Sequence, residues 1–137
     1  MKDKIVFING VFDQPHPGHI QLINYASWHG KLYIAIDSDR RVKELKGSTR
    51  PFFNQLDRIY MLKNIKGVHK VFIFDSEQQL ENLIFELKPD IMVVGSDYRG
   101  KKVIGSEYAK ELHFFNRDER YSTTKILNHY ATIRNRI

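Results

Sequence analysis

The stretch NGVFDQPHPGHIQLI, residues 9–23, follows directly on the apolar run KIVFI, residues 4–8. It reads as a buried strand giving way to a helix. Gly10 allows the chain to turn sharply after Ile8, and Pro17 suits the first helical position, where its missing N–H costs nothing. A turn needs no more than these, so the two histidines require another reason. His16 and His19 stand three residues apart at the helix start, so both side chains lean toward the exposed N–H groups and the positive end of the helix dipole. Gly18 removes a side chain between them and leaves room for a ligand against the backbone. The combination describes an anion site with two imidazole donors, suited to phosphate.

Other ligands fit less well. Zinc would need a third protein ligand, and no Cys or Glu is suitably placed nearby. A dinucleotide turn would need G-x-G-x-x-G, whereas the next glycine after Gly10 is Gly18.

Outward from this stretch, the chain alternates short β-rich runs with helical periodicity. KIVFI, LYIAI (32–36), KVFIF (70–74) and IMVVG (91–95) are continuous apolar runs, as expected for parallel strands covered on both faces. Ser76 and Gln79 have capping-box spacing ahead of Leu80, Leu83, Ile84 and Leu87, and Pro89 stops that helix. A second helix is predicted over 54–66 with Leu56, Ile59 and Tyr60 turned inward. A last one is predicted from Ser122 with Ile126, Tyr130, Ile133 and Ile137 in register. KELKGSTRPFF, residues 43–53, reads as a long functional loop. The βαβα order predicts an α/β fold: a doubly wound, Rossmann-like parallel sheet with helices on both faces, whose ligands sit beyond the carboxyl ends of the strands.

Composition sets the outer limits. With 137 residues, 42% of them hydrophobic, the chain can bury one core, and a single domain over 1–137 is expected. Lys and Arg number 22 against 16 Asp and Glu, so the net charge of +6 favours an anionic partner. The absence of cysteine excludes disulfides, thiolate metal sites and a cysteine nucleophile. The apolar run before Asn9 is too short for a signal-peptide core and no run of about 20 apolar residues follows, so a cytoplasmic protein is expected.

YSTTKI, residues 121–126, reads by itself as a well-capped helix start, with Ser122 as N-cap and Thr123, Thr124 and Lys125 in the first turn. Only beside the first motif does it offer a second helix start that could converge on the same polyphosphate.

GVFDQPHPGH, residues 10–19, resembles the strand-to-helix signature of the cytidylyltransferase-like nucleotidyltransferases, whose His-x-Gly-His element is similar to that of class I aminoacyl-tRNA synthetases. RDERYSTT, residues 117–124, resembles their C-terminal phosphate segment. The resemblance implies that an acceptor phosphate oxygen attacks the α-phosphorus of a nucleoside triphosphate and that pyrophosphate leaves. It assigns catalytic roles to His16, His19, Lys46, Arg117 and Thr123. Nucleotide contacts would come from Gly10, Val11, Phe12, His16, Gly18, His19, Asp97, Arg117, Tyr121, Ser122, Thr123 and Thr124. Acceptor contacts would come from Lys43, Lys46, Arg50, Arg58 and Tyr98, with a loop cation and a solvated helix arginine as the alternative readings of Arg50 and Arg58. Asp13 is read as bracing the turn. Mg2+ would arrive with the triphosphate, with no dedicated metal site on the protein.

The resemblance divides over the substrate. LKGSTRP (45–51) and GSDYRGKKVIGSEYA (95–109) are similar to heptose 1-phosphate adenylyltransferases, which make ADP-heptose, whereas Arg117 with STTKI is closer to glycerol-3-phosphate cytidylyltransferase. The longer, loop-containing matches favour a heptose-type acceptor, with CDP-glycerol formation as the alternative. From another class, a non-catalytic nucleotide- or RNA-binding module would account for the basic charge and 12% aromatic content, but no clustered basic-aromatic run occurs. No nucleic-acid or membrane partner is expected. A homodimer is, because dimers are common among the proteins it resembles.

Overall fold

The computed structural model describes residues 3–116 and 120–136. Five strands form one fully parallel sheet in the order β3-β2-β1-β4-β5. They are β1 (Ile5–Gly10), β2 (Lys31–Asp37), β3 (Val68–Phe74), β4 (Ile91–Gly95) and β5 (Glu111–Phe115), connected through helices α1 (Pro17–Trp28), α2 (Asp39–Lys46), α3 (Gln55–Lys63) and α4 (Glu77–Leu87) and followed by α5 (Thr123–Arg136). The doubly wound sheet predicted from the alternating pattern is the observed one.

The apolar runs are continuous because both faces of the sheet are covered. On one face Val6, Ile8, Leu32, Ile34, Ile36, Ile91 and Val93 pack with Ile23 and Ala26 of α1 and Leu62 of α3. On the other, Phe7, Ala35 and Met92 pack with Leu80 and Ile84 of α4. Period-two alternation thus feeds two cores. Fully burying each side chain of Leu or Ile size contributes about 1.5–3 kcal/mol. The Ser76 hydroxyl accepts from Gln79 N, and α4 ends at a left-handed Lys88 just before Pro89.

Four sequence expectations change. β5 was not anticipated, because ELHFF mixes charge with apolar residues as an edge strand does. The expected loop over 43–53 begins only after Lys46, since α2 buries one residue, Val42, and its charged outer face hides the helical period. In α3, which is shorter than 54–66, Leu56 and Tyr60 are 68% and 72% exposed, while Arg58 and Leu62 occupy the buried side. In α5, Tyr130 and Ile133 are exposed rather than packed, and Ile137 lies outside the described residues.

Among the described residues no helix is long and apolar enough to cross a membrane.

Candidate active site

Sheet order reverses direction between β1 and β4, and the carboxyl ends of these two strands open a crevice there. A cavity of about 560 Å³ occupies it, within the range of small-molecule sites. Its floor includes Asn9 and Gly10 from β1 and Val93, Val94 and Gly95 from β4.

His16 is the N-cap of α1. Its Nδ1 accepts from Gly18 N at 3.1 Å, and His19 Nδ1 accepts in return from His16 N at 3.2 Å. This is a capping box built from two imidazoles, with the rings stacked at 3.8 Å between centroids. A ring nitrogen that accepts a backbone N–H carries no proton, so the hydrogen-bond pattern assigns the ring proton of both histidines to Nε2. The helix start therefore both orients the rings and sets which nitrogen can donate.

Gly18 was read as clearing space for a ligand, and it does line the cavity; a Cβ there would also lie 2.9 Å from His16 Cε1, so the glycine makes room for the His16 ring as well. Gly10 was read as taking unusual backbone angles. It ends β1 instead, and the left-handed conformation falls on Phe12, with φ 51°. A Cβ on Gly10 would sit 3.0 Å from the Phe12 ring, which folds back under it and is buried.

Asp13 braces the turn. Its carboxylate accepts from Phe52 N and Phe53 N, each at 2.9 Å, and lies 3.7 Å from Arg50 Nε. That contact is too long for a hydrogen bond, and Arg50 Nε is buried without a partner beside the cavity. An unsatisfied guanidinium N–H at this position suits an incoming anion.

Arg58 corrects the sequence reading. Neither an acceptor ligand nor a solvated cation, it is fully buried and spends its donors on the protein. Its Nε donates to Phe53 O, one Nη to Val11 O and Asp37 O, and the other to Asp39 Oδ1 at 2.9 Å. It ties the ends of β1 and β2 to the loop that carries Arg50. The apolar positions around it made α3 look inward-facing at the wrong residues.

The start of α5 closes the cavity from the other side. Ser122, Thr123 and Thr124 line it together with His16 and His19, and the Ser122 hydroxyl caps the helix by accepting from Lys125 N at 3.0 Å. The two motifs meet in one space. The Tyr121 ring lies 6.3 Å from that of His16. Val11, Phe12, Lys46, Arg50 and Tyr98 also line the cavity. Besides Arg58, three predicted residues are absent from its lining: Lys43, which donates to Arg50 O at 3.3 Å, Asp97, which is exposed on the turn after β4, and Tyr121. Arg117 lies outside the described residues.

Sequence reasoning missed Asp37, Arg41, Glu77 and Lys102, all of which line the cavity. Asp37 and Arg41 form a shielded ion pair at 2.8 Å. Asp37 ends β2 and so occupied a strand end, a signal that could have found it. Among the described residues no group of three or more His, Asp or Glu is arranged to hold a metal.

A parallel sheet with a cavity at its switch point, bordered by the starts of two helices, defines a ligand-binding α/β domain of the doubly wound class. The profile of the cytidylyltransferase-like family matches residues 7–129, and the chain belongs to that family. It is 48% identical over 125 residues, 90% of its length, to the bifunctional protein HldE of Campylobacter fetus subsp. fetus (strain 82-40). It is 42% identical over 127 residues, 92% of its length, to HldE of Helicobacter pylori (strain HPAG1). Against HldE of Campylobacter concisus (strain 13826) it is 42% identical over 135 residues, 98% of its length. The chain spans only 27% or 28% of these relatives. Among solved structures, a lipopolysaccharide core biosynthesis protein from Thermoplasma volcanium GSS1 shares the fold, with a TM-score of 0.69 at 23% identity, covering 85% of this chain and all of that one.

Proposed function

We propose that the chain transfers AMP from ATP to D-glycero-D-manno-heptose 1-phosphate, forming ADP-heptose and pyrophosphate. The observation that carries this reading is the joining of both phosphate-type helix starts with Lys46, Arg50 and Lys102 around one cavity. The heptose-type loops at 45–51 and 95–109 contribute Leu45, Lys46, Arg50, Gly95, Tyr98, Lys102, Val103 and Ile104 to its lining, which supports that acceptor class.

In this reading a phosphate oxygen of the acceptor attacks the α-phosphorus in line as the bond to the bridging oxygen of the β-phosphate breaks. The acceptor is already an anion at neutral pH, so no general base is required, and catalysis rests on positioning and charge stabilisation. His16 and His19 donate Nε2–H to the α-phosphate and the leaving group. Ser122, Thr123 and Thr124 hold the β- and γ-phosphates at the start of α5. Lys46 and Arg50 take the acceptor phosphate. Asp97, Tyr121 and Arg117 keep nucleotide roles by resemblance alone. Mg2+ would arrive with the triphosphate and, when bound, neutralise its charge. The homodimer belongs to the same reading, with exposed Leu127, Tyr130 and Ile133 on α5 as a candidate face.

The test crosses ATP, CTP, GTP and UTP with heptose 1-phosphate, glycerol 3-phosphate, phosphocholine and FMN in a pyrophosphate-release assay. Turnover confined to ATP with heptose 1-phosphate is expected. CTP with glycerol 3-phosphate would replace the reading by CDP-glycerol formation.

A further inference from the structure

The cavity contains one carboxylate that its anion-binding role does not explain. Asp13 is satisfied by two backbone N–H groups and Asp37 by Arg41. Glu77 lines the same cavity, yet its side chain has no hydrogen bond or ion pair among the described residues. It occupies the first turn of α4, three residues before Leu80, so the two share one helical face. Leu80 is a lining residue too. α4 follows β3, which β2 separates from β1, and its start is tied to α2, since Asp75 accepts from the Ser38 hydroxyl and from Arg40 Nε. Glu77 therefore borders the cavity beside α2, the helix that brings Lys46.

A carboxylate facing two bound phosphates would repel them, so its ligand must be a hydrogen-bond donor. An ionised carboxylate only accepts, and hydroxyls are the donors that a phosphorylated sugar supplies. We propose that Glu77 determines acceptor specificity by accepting hydrogen bonds from sugar hydroxyls remote from the reacting phosphate. The same charge disfavours acceptors that carry a second anionic group. This rests on the reading that the acceptor is a polyhydroxylated phosphate, and it adds the residue that reads the hydroxyls.

The experiment compares wild type, Glu77→Gln and Glu77→Ala in the pyrophosphate assay with ATP. It measures KM for heptose 1-phosphate, KM for ATP, and Ki for ethyl phosphate, which keeps the phosphate and lacks the hydroxyls. Losing a hydrogen bond to a charged group is expected to raise KM for heptose 1-phosphate about 10- to 100-fold in Glu77→Ala. Glu77→Gln should fall between it and wild type, with KM for ATP and Ki for ethyl phosphate unchanged in both. An unaltered KM for heptose 1-phosphate overturns the proposal, as does a parallel weakening of ethyl phosphate or ATP, which would indicate a structural role. Wild-type enzyme inactive with every hydroxylated phosphate overturns instead the functional reading beneath it.

Discussion

His16 closes the first turn of α1 through Nδ1 while its ring stacks on His19 inside the cavity, so one side chain serves both the fold and the site. The two contributions separate by substitution. Asn is as good an N-cap as any residue, whereas losing a preorganised donor costs about 100- to 1,000-fold in rate. His16→Asn is therefore expected to keep the thermal midpoint within a few degrees while lowering kcat at least 100-fold. Calorimetry beside the pyrophosphate assay checks this, and a large loss of stability with the same loss of rate would contradict it. The histidines were legible because imidazoles are unusual at a helix start, and Ser122 and Asp13 because their residue types are favoured at caps and turns. Arg58 was not, because nothing local distinguishes an arginine on the buried face of α3 from one facing water. Only the arrival of Val11, Asp37 and Asp39 around it, from distant parts of the chain, decides that.

At the scale of elements, the strands divide the labour between their two ends. The carboxyl ends carry the cavity, and the amino ends are fastened by Asp90. Its carboxylate accepts from Ile5 N at 2.8 Å and pairs with Lys110 at 3.1 Å, joining the starts of β1 and β5. The Ile5 N–H, followed by Lys110, holds the Asp90 carboxyl below the usual carboxylate range. A lowered native pKa contributes stability that is present above the unfolded value of about 3.9 and is lost as pH falls through the native value. Urea midpoints are thus expected to drop between pH 6 and pH 3, and Asp90→Asn should reduce that drop while leaving KM for ATP unchanged. An identical pH dependence in the variant would remove Asp90 from this account. The runs of inner strands β1, β2 and β4, the run of edge strand β3, and α4 could be read from sequence because a continuous apolar run, or a capped stripe, leaves a local trace. β5 and α2 left none, since ELHFF mixes charged with apolar residues and α2 buries only Val42.

Over the whole molecule the net charge is +6, and at the cavity Arg41, Lys46, Arg50 and Lys102 stand against Asp13, Asp37 and Glu77. A net positive field attracts polyanions and is screened over about 10 Å at 0.1 M salt. KM for both anionic substrates is expected to rise several-fold between about 0.05 and 0.5 M KCl with kcat nearly constant, as initial-rate kinetics can check. A salt-independent KM would show that contact geometry, and not this field, captures them. The α/β class and the helix starts after His16 and Ser122 follow from the chain's local chemistry, because caps and apolar periods act within a few residues. The meeting of His16 with Thr123, the burial of Arg58 and the placing of Glu77 in the cavity depend on sheet order, which is set by how two cores close. Contacts of that range leave no periodic trace, and only the folded chain brings their residues together.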